Sequence, residues 1–220
     1  MAATTDSRTE IGRGVYSLAE LRSYVAFEGS RKEGSRTLDW LTHALNPVER
    51  APRRPNYTFG DLVSLFVVRE LRRRGVRVHV IRAAEGFLRR KWKTDRPFVS
   101  EEIKTDGRRV FTDDWPGMGQ IESADMGGQQ VMRELIKDRL TTVEYDDGNA
   151  AYWTPMPGIL IDPRVQFGEP VIAGTRVPVE AVEGIARRAD IETAARRLGI
   201  SLSAARSARA FSQRLVTAAR

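Results

Sequence analysis

The sequence predicts a mainly α-helical protein with small β elements: an N-terminal helical module, a central β-hairpin segment, and a C-terminal β-arm leading into a helix-turn-helix. Three observations carry that prediction. In the first hundred positions, apolar residues recur at helical spacing behind capping residues. Two hairpin signatures, Thr105-Asp106-Gly107 and Asp146-Asp147-Gly148-Asn149, sit between runs rich in β-branched and aromatic residues. The run from Gly158 to Val179 alternates short apolar segments with Asp-Pro, Phe-Gly and Ala-Gly-Thr turn signals, and a helical pair follows it.

Composition bounds the chemistry. With 220 residues, 41% of them apolar, the chain has room for two small domains with real cores. It has no cysteine, which excludes disulfides, thiolate metal sites and thiol nucleophiles. His43 and His79 stand alone, whereas a metal site needs three or four converging groups, so neither a metal nor another cofactor is expected. No signal peptide or long apolar run is present, which places the expected protein in the cytoplasm and away from membranes. Net charge is +9 over residues 1–96, −6 over 97–154 and +4 over 155–220. Cationic surfaces are drawn to DNA because phosphate contacts release counterions, so the two basic modules are candidate DNA readers. The acidic middle suits protein contacts better.

Residues 1–14 are small and polar and read as a flexible tail. Ser17 then caps a first helix, Glu20 completes a capping box, and Leu18, Leu21 and Val25 share one face. After the polar stretch Glu28 to Ser35, a second short helix offers Leu38, Leu41 and Leu45 for burial and ends at Asn46-Pro47. A basic, Pro-rich loop follows. Thr58 caps a long helix that Gly75 stops, and a further helix from Val76 to Arg90 carries Val80, Ile81, Ala84 and Leu88 inside.

This order of helices resembles the winged helix-turn-helix domain of the MerR family over about residues 15–96. Tyr16, Leu18, Glu20, Leu21, Arg36, Thr37, Leu38, Trp40, Tyr57, Asp61, Leu62 and Ile81 carry the likeness. The resemblance implies that Arg36, Thr37 and Trp40 face DNA near the major groove and that Arg53, Arg54 and Tyr57 hold phosphates. The arginine fork suits guanine and phosphate oxygens alike. Trp40 fits core packing equally well, since its indole is mostly apolar.

Residues 97–154 read as an acidic β-hairpin linker and interaction module. Phe98 to Lys104 pairs with Arg108 to Thr112 in one hairpin and Thr141 to Tyr145 with Ala150 to Trp153 in the other, with a helix from Gln129 to Arg139. The acid pairs Glu101-Glu102, Asp113-Asp114 and Asp146-Asp147 lie in strands or turns, where neighbouring side chains diverge, so no catalysis is expected from them.

In residues 155–220, Gly158 to Ile161 and Pro170 to Ile172 read as short strands. Pro163 and Pro170 cannot donate ladder hydrogen bonds, which puts these strands at an edge or against another chain. A two-stranded arm alone buries too little surface, so it needs a partner surface such as a second copy. Helices follow at Val179 to Arg188 and from Ile191. Ala195 and Gly199 have helix-turn-helix spacing, Ile200 plugs the core and Ser201 or Ser203 caps the second helix, which turns Arg206 and Arg209 outward. Ser203, Arg206 and Arg209 are candidate DNA contacts, although a purely structural helical pair fits as well.

Ile161, Asp162, Pro163, Gly168, Pro170, Val171, Ile172, Gly174, Thr175, Arg176, Val177, Pro178 and Val179 together resemble the hallmark string of a short bacterial domain of unknown function found in VapB-type antitoxins, which are encoded beside PIN-like ribonuclease toxins. The resemblance implies an antitoxin that is a homodimer, binds the toxin from the adjacent gene and represses its own operon at operator DNA. It assigns the residues of the string from Ile161 to Arg176 to a dimer or partner interface. Read as residues alone, Asp162 and Thr175 also fit ordinary turn or capping roles. The alternative is a stand-alone MerR-like regulator without a toxin. An enzyme is disfavoured, since no Walker loop, zinc spacing or nucleophile and base pair occurs.

Overall fold

Tyr16 and Tyr57 exchange backbone hydrogen bonds of 2.8 and 2.9 Å, and this bridge ties together the entrances of the two helices that carry most of the N-terminal core. The computed structural model describes residues 15–45, 57–73, 75–94, 96–100, 142–146 and 148–219. The tail at 1–14, the first predicted hairpin beyond Ser100 and the helix predicted at Gln129 to Arg139 lie outside the described residues.

Helix α1 (Leu18–Glu28) starts as the sequence predicts: the Ser17 hydroxyl accepts from the Glu20 N–H while the Glu20 carboxylate accepts from the Ser17 N–H. The polar connector that follows is itself helical. The five residues of α2 (Arg31–Ser35) open on a second capping box, Ser30 with Glu33, and pack on α1 through Gly34, where a Cβ would come within 2.7 Å of the Arg22 carbonyl oxygen. So short a helix has no apolar stripe, which is why the pattern missed it. Helix α3 (Thr37–His43) turns Thr37, Trp40, Leu41 and Ala44 inward, a spacing of three, one and three residues, and thereby leaves Leu38 40% exposed where the sequence reading buried it.

Helix α4 (Phe59–Arg73) is buried along most of its length. Thr58 caps it, accepting from the Asp61 N–H as its own N–H donates to the Asp61 carboxylate. Gly75, at φ 85°, supplies the left-handed turn before α5 (Val78–Trp92). Val80, Ile81, Ala84 and Leu88 of α5 are buried, as predicted. Phe98 and Val99, predicted to begin a strand, lie in a 3-10 turn at Pro97–Val99, and Ser100 bridges Asn149. Pro97 favours that turn because it fixes φ in the helical range and has no N–H to give a ladder.

The second hairpin forms where predicted, from β1 (Val143–Asp146) and β2 (Asn149–Met156), with Gly148 at φ 73° in the turn. Gly158, at φ 84°, reverses the chain into β3 (Ile159–Ile161), which pairs with β4 (Val171–Ile172), giving an antiparallel sheet of order β1-β2-β3-β4. The edge of β4 is covered by its own chain: the Ile172 N–H donates to Val177 O at 2.9 Å and Val179 N–H to Pro170 O at 2.8 Å. Three helices complete the fold, α6 (Val179–Arg188), α7 (Ile191–Leu198) and α8 (Leu202–Ala219).

One core joins the two ends of the sequence. The fully buried Trp153 of β2 meets Tyr24, Phe27 and Phe66 edge-on at centroid distances of 5.9, 6.2 and 4.8 Å, and Phe27 meets Phe211 of α8 at 5.1 Å. The arm finds surface within the same chain: β3 pairs with β2, Gly158 sits beside Ser207 of α8, and the Tyr16 hydroxyl reaches Gly168.

Candidate nucleic-acid interface

The geometry of the α7–α8 pair follows from local chemistry. The Asp190 carboxylate accepts from the Thr193 N–H at 2.5 Å and starts α7. That hydrogen bond holds its carboxyl below the ordinary value, so the cap stays anionic. Gly199 ends α7 at φ 64°, and the Ile200 N–H reaches back to the Ala195 carbonyl at 3.1 Å. Ser201 caps α8 by accepting from the Ala204 N–H at 3.1 Å. Ala195 is buried, and Ala205 and Ala208 have no exposed surface at all. Small side chains at these positions bring α8 close to its neighbours, where bulkier aliphatics would hold it away.

The opposite side of α8 carries Ser203, Arg206 and Arg209, all exposed and each three residues from the next, so they run along one face of its first turns. Arg206 Nη2 lies 3.7 Å from Glu192 Oε1, but both side chains are more than half exposed, so the pair is weak and can yield to another anion. Arg196 and Arg197 of α7 are exposed as well, and Arg196 Nη2 donates to Thr193 Oγ1 at 3.1 Å. This is a helix-turn-helix with a cationic outer face.

The N-terminal set is placed differently. Arg36 is exposed, but Thr37, Trp40 and Tyr57 are 0%, 1% and 6% exposed and belong to the interior. They cannot face a groove or a phosphate from there; a seven-residue helix wedged between neighbours needs its Trp for packing. Arg53 and Arg54 lie outside the described residues.

Most residues of the arm string build the fold, while two of them face outward. Ile161, Asp162, Pro163, Gly168, Val171 and Ile172 are buried, Pro170 and Thr175 partly so, and Gly174 and Arg176 are exposed. The Asp162 carboxylate accepts from the Arg164 N–H at 2.8 Å and from its guanidinium at 2.9 Å, and Arg164 also reaches Asp146 at 3.0 Å. Hydrogen bonding to Asp162 chiefly raises the Arg164 pKa above its ordinary value. Thr175 Oγ1 donates to Ile172 O at 2.9 Å and accepts from the Val177 N–H at 3.1 Å, bracing the turn that Gly174 enters at φ 76°. Both are turn residues, as their chemistry allowed.

Sequence reasoning missed Arg164 and Phe167. The Phe167 ring is on a residue 75% exposed, in a loop held by the Tyr16 hydroxyl donating to Gly168 O at 3.1 Å and by the Val15 N–H donating to Phe167 O at 3.3 Å. Burial raises the Tyr16 pKa, so this hydroxyl keeps its proton. No described helix is long and apolar enough to cross a membrane.

This helical pair, braced on a helical body, begins within a segment that resembles known proteins. Residues 159–211 match the family model described as a protein of unknown function, DUF433. Over 166 residues the chain is 25% identical to a candidate antitoxin of Mycobacterium tuberculosis (strain ATCC 25618 / H37Rv), VapB45. That match covers 69% of this chain and 66% of the relative, just under two thirds of the relative's length. The crystal structure of Rv2018 from Mycobacterium tuberculosis has the same fold, with a TM-score of 0.66, 21% identity, and coverage of 88% of this chain and 96% of that one.

Proposed function

We propose that this protein is the antitoxin of a type II toxin–antitoxin pair, a non-enzymatic cytoplasmic regulator that neutralises a PIN-like ribonuclease encoded by the adjacent gene and represses its own operon. The observation that carries the reading is the α7–α8 helix-turn-helix: α7 and the first half of α8 lie within the segment matching the family model, in a chain similar to a candidate antitoxin. In the proposed operator complex, the first turns of α8 enter the major groove. Arg206 and Arg209 contact guanine edges or phosphates and Ser203 a phosphate. A homodimer would place two such helices on paired half-sites and multiply their affinity. The MerR-like assignment of the N-terminal module rests on helix order and on the matching residues from Tyr16 to Ile81, and among its proposed DNA contacts Arg36 is described and exposed.

The completeness of the helix-turn-helix within one chain also favours a second reading, a stand-alone regulator. Growth separates the two. Induction of the neighbouring gene alone should arrest cells, and co-expression of this chain should restore growth. A harmless neighbour would leave the stand-alone regulator.

A further inference from the structure

A cleft of about 450 Å³ lies where α1, α2 and the end of α8 meet, at the far end of α8 from the turn between α7 and α8. Among the described residues its charged lining is Arg22 and Arg31, both exposed, and Ser23 and Ser35 line it too. The serine hydroxyls already donate to the carbonyls of Ala19 and Arg31, both at 3.0 Å, so recognition falls to the guanidiniums. Neither guanidinium forms an ion pair with another described residue, and no carboxylate lines the cleft among the described residues.

The described carboxylates of α1 and α2 are committed elsewhere. Glu20, on α1, is committed to Ser17 through bonds of 2.7 and 2.6 Å, and Glu33, on α2, is committed to Arg73 at 2.6 and 3.0 Å. Gly34 lets α2 press on α1, since a Cβ there would meet the Ala26 Cβ at 2.8 Å, and Arg31 of α2 and Arg22 of α1 line one cleft. Ala218 of α8 adds a small, uncharged part of the lining. Lys32 and Arg36, exposed on and just beyond α2, add to the positive field.

We infer that this cleft binds a phosphate group, gripped between the Arg22 and Arg31 guanidiniums. Two guanidinium forks lining one cleft, neither in an ion pair with another described residue, suit the bidentate geometry of phosphate oxygens. The phosphate has two possible sources, the backbone of a nucleic acid or a soluble phosphorylated metabolite. The inference needs no partner protein and stands apart from the antitoxin reading.

The test uses the full chain, pyrophosphate as probe, and the variants R22A/R31A and R22K/R31K, all checked for unchanged thermal unfolding. Calorimetry should find pyrophosphate bound, the alanine pair should weaken it about tenfold or more, and the lysine pair should recover only part of that loss, since ammonium groups lack the fork. Binding to a random-sequence duplex is then measured against salt. A slope reduced by about one for each phosphate that the alanine pair no longer neutralises assigns the site to the nucleic-acid backbone, and an unchanged slope assigns it to a soluble metabolite. Succinate binding as tightly as pyrophosphate, an acidic peptide preferred to it, no pyrophosphate binding, or binding indifferent to the alanine pair would each overturn the inference.

Discussion

Gln166 and Phe167 hold left-handed backbone angles, φ 48° and 55°, in a region that costs roughly 1 kcal/mol or more for a residue with a Cβ. Because Phe167 is also largely exposed, Phe167→Asn should stabilise the fold by about 0.5–1 kcal/mol, read as a rise in the thermal midpoint. A fall would mean that the ring is packing more than its exposure implies. At Glu33, burial pushes the carboxyl pKa up, but the Arg73 guanidinium and the Ser30 bonds outweigh it, and the net shift is downward. A carboxyl lowered by folding contributes stability above its unfolded pKa, about 4.3, and loses that contribution as pH falls through the folded value. Glu33→Gln should therefore cost about 1 kcal/mol at neutral pH and progressively less below pH ~4, measured by urea unfolding across pH. A cost independent of pH would contradict this. The Ser17, Thr58 and Asp162 roles were legible in the sequence because they use only near neighbours. The interior positions of Trp40 and Tyr57 were not, since an amphipathic aromatic suits a core and a DNA face alike.

The α7–α8 element was legible for the same local reason. An Asp cap, a left-handed Gly and a Ser cap fall at the spacing that a helix-turn-helix needs. Its two inner alanines, which depart from the usual bulk, are accounted for by the close approach of α8. Replacing Gly199 by Ala should destabilise the turn by about 1–2 kcal/mol, because φ 64° is strained for a residue with a Cβ, and circular-dichroism melting would register it. On the outer face, Arg206→Ala with Arg209→Ala should weaken operator binding and lower its salt slope by about one for each phosphate no longer neutralised. Unaltered affinity and slope, measured by anisotropy over a salt series, would remove α8 as the reading helix. Helix α2 was illegible by contrast, being too short to show a period.

The whole molecule departs most from its sequence pattern. Composition and charge suggest separable modules, yet Trp153 ties β2 to α1 and α4, and Tyr16 reaches Gly168 across most of the chain. Such long-range pairings leave no periodic trace, so the arm looked as though it needed a second chain. Trp153→Ala should cost about 3–5 kcal/mol and unfold the N-terminal helices and the C-terminal helical region together in one transition. Two separate transitions, seen by hydrogen exchange, would restore the modular picture.

The antitoxin reading is tested most directly by titrating the purified product of the adjacent gene with this chain while following cleavage of an RNA substrate. The account predicts that cleavage by the free product falls to background at a fixed molar ratio and that the two proteins co-elute as a stable complex. RNA cleavage that persists in excess of this chain, with the two proteins eluting separately, would contradict it.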